Sequence, residues 1–227
     1  MTYARGMELL HTAHVPAGEG SFPTIVALHG WGASAHDLIG LAPVLHGGDA
    51  LVLCPQGPVA LQTGPNTMGY GWFPLSQGRP PDPTAVSMAQ GLIEIFLDDV
   101  CARYPVDPGK LVLAGFSQGG FMAYQIALSD PARFAGLLAM SSWLPAQVAE
   151  KLAPTPSHAA LPTLVVHGSA DPMVPIERAY ESRDALAALK VPTTFREYDM
   201  AHEIRPEALR DILGWLEEKV FSPVERV

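Results

Sequence analysis

The chain has 227 residues, 48% hydrophobic and 16% charged, a length and composition that suit one compact globular domain. Its 23 acidic against 14 basic residues give a formal charge of −9 with no Lys/Arg cluster, which argues against nucleic acid and anionic membrane surfaces as partners. No apolar run approaches the roughly 18 residues of a membrane span, Met1 to Gly6 lack the apolar core of a signal peptide, and Cys54 and Cys101 form neither a metal spacing nor a disulfide framework, so no stable membrane insertion, buried free thiols and a cytoplasmic setting are expected.

Glu8 to Val15 reads as an antiparallel edge strand and Thr24 to Leu28 as a buried one, followed by the turn His29-Gly30-Trp31-Gly32 and a second apolar run, Ala50 to Leu53. Residues 56 to 83 form a long Gly/Pro-rich connection holding Met68, Tyr70, Trp72, Phe73 and Leu75. Connections of that length without elements of their own are usually functional, and the aromatics suggest a flap over a site. Asp82-Pro83 offers a cap and a first-turn proline for a helix to about Arg103, with Ala89, Leu92, Ile93, Phe96 and Val100 on one face. Strands are expected at Lys110 to Ala114, Phe134 to Met140, Thr163 to Val166 and Thr193 to Tyr198. Helices are expected at Gln118 to Ser129, Ile176 to Leu189 and Pro206 to Val220. This alternation predicts a single α/β domain over residues 1–227, a mostly parallel sheet with helices on both faces. Such sheets bind ligands at the carboxyl ends of their strands.

Gly115-Phe116-Ser117-Gln118-Gly119-Gly120 lies at one such end, between an apolar strand and a helix. Small residues at 115 and 119 allow a sharp strand-to-helix turn with Ser117 at its apex, the geometry of a nucleophile elbow. A serine hydroxyl needs a base, and the eight histidines sort by position. His11 and His14 sit near the first strand, and His36, His46 and His158 fall in loops without supporting context. His29 and His167 each precede glycine at a strand end and suit turn-organising backbone hydrogen bonds. His202 follows the strand ending at Tyr198 and precedes the last helix, which puts it on the rim of Ser117. Asp171, just past the strand ending at Val166, is placed to hold the imidazole. The chain order Ser117, Asp171, His202 is that of the α/β-hydrolase fold. Backbone N–H groups of Gln118 and Trp31 are the candidate oxyanion donors.

These segments, with His167-Gly168-Ser169-Ala170-Asp171-Pro172-Met173-Val174-Pro175, Ala201-His202-Glu203 and Gly71-Trp72-Phe73, resemble the carboxylesterase, phospholipase and acyl-protein thioesterase family along nearly the whole chain. The resemblance implies a small serine hydrolase without a large cap domain and without a cofactor or metal. Ser117 is then nucleophile, Asp171 acid and His202 base, with Trp31 and Gln118 as oxyanion donors. Trp31 in place of the usual aliphatic residue, Pro74 in place of aspartate, and Ser142 in place of glycine bear on substrate preference. Trp31, Phe116, Trp143, Leu144 and Met173, with Trp72 and Phe73, are expected to line an apolar cleft for a small-molecule ester with an uncharged acyl chain, since no Arg pair stands nearby. The expected activity is short- to medium-chain carboxylesterase, from a monomer or homodimer. A thioesterase or lysophospholipase using the same residues is the alternative, and a silent ligand-binding protein on the same fold is the non-enzyme one.

Overall fold

The computed structural model describes residues 9–75 and 79–222, so the expected start of the first strand at Glu8 lies outside the described residues. Strand β1 (His11–His14) is followed by β2 (Phe22–Leu28), β3 (Leu51–Pro55), the pair β4 (Val59–Gly64) and β5 (Thr67–Gly71), and helix α1 (Pro83–Arg103). Then come β6 (Val106–Phe116), α2 (Gln118–Ser129), β7 (Gly136–Met140), and the short helices α3 (Ala146–Ala149) and α4 (Pro156–Ala159). The chain continues through β8 (Thr163–Gly168), α5 (Ile176–Ala188), β9 (Thr193–Tyr198) and α6 (Pro206–Trp215).

The main sheet has the order β1-β3-β2-β6-β7-β8-β9, with β1 antiparallel to β3 and the other pairings parallel. Its central strands are apolar on consecutive positions because both faces are covered. Leu111 and Leu113 of β6 pack into the core shared with α1 and α2, whereas Val112 and Ala114 face the second core with Trp215 of α6. Helix α1 starts where expected: the Asp82 side chain accepts the Thr84 N–H at 3.1 Å, and Ala89, Ile93, Phe96 and Val100 are buried. Edge strand β9 carries exposed Arg196 and Glu197, so its apolar pattern is weaker than that of the strands it joins.

Several expectations need correcting. Residues 56–83 do have structure of their own: β4 and β5 pair antiparallel around Pro65-Asn66, turn residues that favour a tight reversal. The final helix leaves the α-helical pitch at Trp215 and continues as a wider π-helical turn, Leu216–Phe221. The wider turn brings Leu216 and Phe221, five positions apart, to the same core. His158 is buried in α4, not looped out, its backbone N–H capped by the Thr155 hydroxyl and its Nε2 bonded to the Leu128 carbonyl at 3.0 Å. Cys54 is buried, with its thiol pushed up to about 12 by burial, but Cys101 is exposed on α1. No described helix is long and apolar enough to cross a membrane.

The parallel order sets the carboxyl ends of β2, β6, β7, β8 and β9 along one rim. Each end hands the chain to a loop, and those loops carry the polar residues singled out from the sequence.

Candidate active site

Ser117 stands between β6 and α2 with φ 53° and ψ −118°, a conformation costing a non-glycine residue of order 1–3 kcal/mol. The strain is held by its surroundings. Ser117 N–H donates to the Met140 carbonyl at 2.9 Å, and the Ser142 hydroxyl donates to the Ser117 carbonyl at 2.7 Å. Helix α2 approaches β2 and β6 so closely that a methyl group on Gly119 would collide with the Leu28 and His29 carbonyls at the end of β2, and one on Gly115 of β6 with the backbone of Gly119. That close approach is the reason the elbow requires small residues at both positions.

Asp171 and His202 arrive from β8 and β9. The Asp171 carboxylate is fully buried, and each oxygen has its own task. Oδ1 accepts the backbone N–H groups of Met173 (2.8 Å) and Val174 (2.9 Å), while Oδ2 accepts from Nδ1 of His202 at 2.7 Å. The His202 ring packs on Phe116 with centroids 4.8 Å apart, and His202, Phe116, Ser117, Gly30 and Trp31 line one cavity of about 130 Å³. No hydrogen bond joins the Ser117 hydroxyl to His202 among the described residues, and such bonds are often long until substrate is bound.

The two strand-end histidines take the backbone roles expected of them. Nδ1 of His29 pairs with the Gly30 carbonyl at 2.8 Å, and its Nε2 accepts the Gly57 N–H at 3.0 Å. Nε2 of His167 donates to the Val174 carbonyl at 2.8 Å, which leaves its buried Nδ1 without a partner. Desolvation by burial lowers both pKa values, against smaller raising effects from the carbonyls they bond. A folded-state pKa below the unfolded one makes this contribution complete above pH about 6.5 and lost as pH falls toward the lowered values. The melting temperature should therefore fall as pH drops from 7.5 to 5, and His167→Gln, which keeps a donor for Val174, should flatten that fall. An unchanged slope in the variant would remove His167 from the cause.

Trp31 and Gln118 flank the serine. Gln118 opens α2, so its N–H has no intrahelical partner, and the Trp31 N–H makes no hydrogen bond among the described residues. The β4–β5 hairpin braces both. Gly32 N–H donates to the Tyr70 carbonyl (2.8 Å), Tyr70 N–H to the Ala33 carbonyl (2.7 Å), and the Trp72 indole to the His29 carbonyl (2.8 Å). The buried Gln118 side chain closes the brace: its Oε1 accepts the Trp72 N–H at 2.8 Å and its Nε2 donates to the Phe73 carbonyl at 2.7 Å. Gln118→Leu would strand both backbone groups in a dry interior, at a cost of about 2–4 kcal/mol for the pair. Thermal denaturation should report that loss, and an unshifted melting temperature would mean the brace is slack.

The expected pocket wall is only partly assembled. Phe116 and Trp31 border the Ser117 cavity, and Trp143 borders a neighbouring one of about 380 Å³. Trp72 (2% exposed) and Phe73 (0%) border neither, because they are buried in the core behind the turn that carries Trp31. Leu144 is also buried in the core, and Met173 is 72% exposed beside the acid turn. Sequence reading missed the Gln118 side chain, the Ser142 hydroxyl, and Leu38 on the cavity wall. The hairpin had a usable signal, the Pro65-Asn66 turn; a glutamine amide bonding a segment 45 residues away had none.

The Phospholipase/Carboxylesterase family model matches residues 13–220 of the chain. Acyl-protein thioesterase 1 of Gibberella zeae is 27% identical over 230 residues, covering 90% of this chain and 94% of that protein. Among solved structures, esterase PE8 superposes with a TM-score of 0.81 at 25% identity, over 94% of this chain and 100% of that one. The Bacillus cereus carboxylesterase gives 0.80 at 21% identity, over 94% and 96%, a likeness of fold.

Proposed function

The chain belongs to the phospholipase/carboxylesterase family, a hydrolase family of esterases and thioesterases, and we propose that it hydrolyses short- to medium-chain acyl esters through an acyl-enzyme formed on Ser117. The observation that carries the reading is the 2.7 Å bond from His202 to a fully buried carboxylate, with that histidine and Ser117 lining one cavity. Ser117 Oγ attacks the ester carbonyl as His202 Nε2 takes its proton, and Asp171 holds the imidazolium that results. The carbonyl oxygen becomes an oxyanion facing the N–H groups of Trp31 and Gln118, each worth about 3–4 kcal/mol of barrier. Collapse of the intermediate expels the alcohol with a proton from His202. The same ring then takes a proton from water, whose oxygen releases the acid and restores the serine. No cofactor enters.

A thioesterase reading on the same residues is favoured by one observation, that the Gibberella zeae relative is named an acyl-protein thioesterase. The chemistry is shared, since a thiol leaving group needs less help from His202 than an alcohol does. The separating experiment compares kcat/KM on p-nitrophenyl esters of rising chain length with matched acyl-thioesters, after a fluorophosphonate probe has been tested for labelling of Ser117. Labelling with ester turnover supports the hydrolase, and the ratio of the two series ranks ester against thioester. A chain that neither labels nor turns over any of them would be a silent binder on this fold.

A further inference from the structure

Arg79 and Arg178 lie far apart in sequence, yet both line the cavity that Trp143 borders. Its floor is apolar, built by Leu75, Phe121, Trp143 and Pro145. Two of its walls reach the backbone of the nucleophile's turn. Phe121 N–H donates to the Ser117 carbonyl at 3.1 Å, and Trp143 follows Ser142, whose hydroxyl donates to that same oxygen. The Phe121 and Trp143 rings meet edge to face with centroids 5.4 Å apart, so the two walls are packed against each other.

The charge around this floor is one-sided. Among the described residues no carboxylate lines the cavity. Arg79 makes no ion pair among them, and Arg178 pairs only with Glu181, one turn on, at 2.9 Å. Both partners of that pair are at least half exposed, so it is weak and open to exchange. An adjoining cavity of about 280 Å³, which shares Pro81, Phe121 and Pro145, adds Lys151 and again no carboxylate. Three cations around two joined apolar hollows stand out in a chain of net charge −9.

Which end of a substrate would lie here follows from the proton transfers. His202 must hand its proton to the leaving group, so the leaving group stands on the side walled by His202, Phe116, Trp31 and Leu38. The arginine cavity shares none of those residues, which leaves it to the acyl chain. We propose that Arg79 and Arg178 receive an anion at the far end of that acyl chain, a carboxylate or a phosphate, so that the preferred substrates are esters or thioesters of acids with a charged tail. Guanidinium groups suit such oxyanions because their planar donor forks match them in pairs. The inference rests on the hydrolase reading above and replaces the uncharged acyl chain expected from sequence. That expectation relied on the lack of an Arg pair in sequence, and the fold supplies the pair.

The test uses p-nitrophenyl esters of equal chain length that end in a carboxylate, a phosphonate or a neutral amide. At low salt, kcat/KM on one anionic ester should exceed that on the amide by about 5-fold, chiefly through KM. The preference should shrink in 1 M salt, where the screening length is about 3 Å. The double variant Arg79→Gln, Arg178→Gln should bring the ratio near one, and Arg178→Glu should turn it toward the amide. Ranking carboxylate against phosphonate identifies the tail. A ratio near one in the unaltered protein, or one that the double variant leaves intact, overturns the proposal while labelling of Ser117 and turnover of the amide keep the hydrolase reading. Loss of labelling and of all turnover would sink the hydrolase reading, and the charged-tail proposal with it.

Discussion

Ser117→Ala should lower ester turnover by about ten-thousand-fold or more and abolish fluorophosphonate labelling, because no other group then stands where the acyl bond would form. The protein should stay folded: the hydroxyl is not among the bonds that hold the elbow, which run through the Ser117 backbone. Ser117→Gly gives a second, independent reading. At φ 53° both serine and alanine carry the left-handed penalty and glycine does not. The glycine variant should be equally inactive yet melt higher than the alanine variant by about 2–4 °C, the shift that roughly 1 kcal/mol produces in a chain of this size. Equal melting temperatures would mean the elbow is unstrained, and substantial turnover by either variant would remove Ser117 from the mechanism.

Asp171→Asn should cost about a thousand- to ten-thousand-fold in kcat, and the bonding of this particular carboxylate says why. Oδ1 already accepts two backbone N–H groups, from Met173 and Val174, which only an oxygen can satisfy. An asparagine must therefore keep its oxygen there and turn its NH2 toward His202. That amide would donate to Nδ1, which forces the ring proton onto Nε2, the nitrogen that has to accept from Ser117. The ring is then present, packed on Phe116, and in the wrong tautomer. Retention of activity within tenfold would show that the 2.7 Å contact is not what poises the base.

Both predictions concern residues that could be picked out along the chain, and there is a reason. A nucleophile elbow is local: Gly115 to Gly120 must make one turn, and the small residues at its crowded points are neighbours in sequence. Asp171 and His202 follow strand ends, and strand ends are visible as the places where a continuously apolar run stops. Strands and helices were legible on the same ground, since period and apolar content are properties of short windows. The boundaries moved where a local rule yielded to packing. Strand β6 extends from Val106 to Phe116 because β2 and β7 continue to pair with it, and the last helix widens past Trp215 to bury Phe221.

The connection between β3 and α1 shows where such reading ends. Its aromatics suggested a flap over the site, but an aromatic side chain looks the same in a sequence whether it faces a substrate or fills the core. Burial of Trp72 and Phe73, and the pairing of their backbone with the Gln118 amide, depend on which strands lie beside which. The arginine cavity is the same case with charge in place of apolar area. One of its cations comes from the segment before α1 and the other from the first turn of α5. The amino-acid order thus marked out Ser117, Asp171 and His202 and their succession, because each is announced by its immediate neighbours. Which residues line the cavities around them was decided by the strand order β2-β6-β7-β8-β9, because only that order makes neighbours of residues that no short window contains.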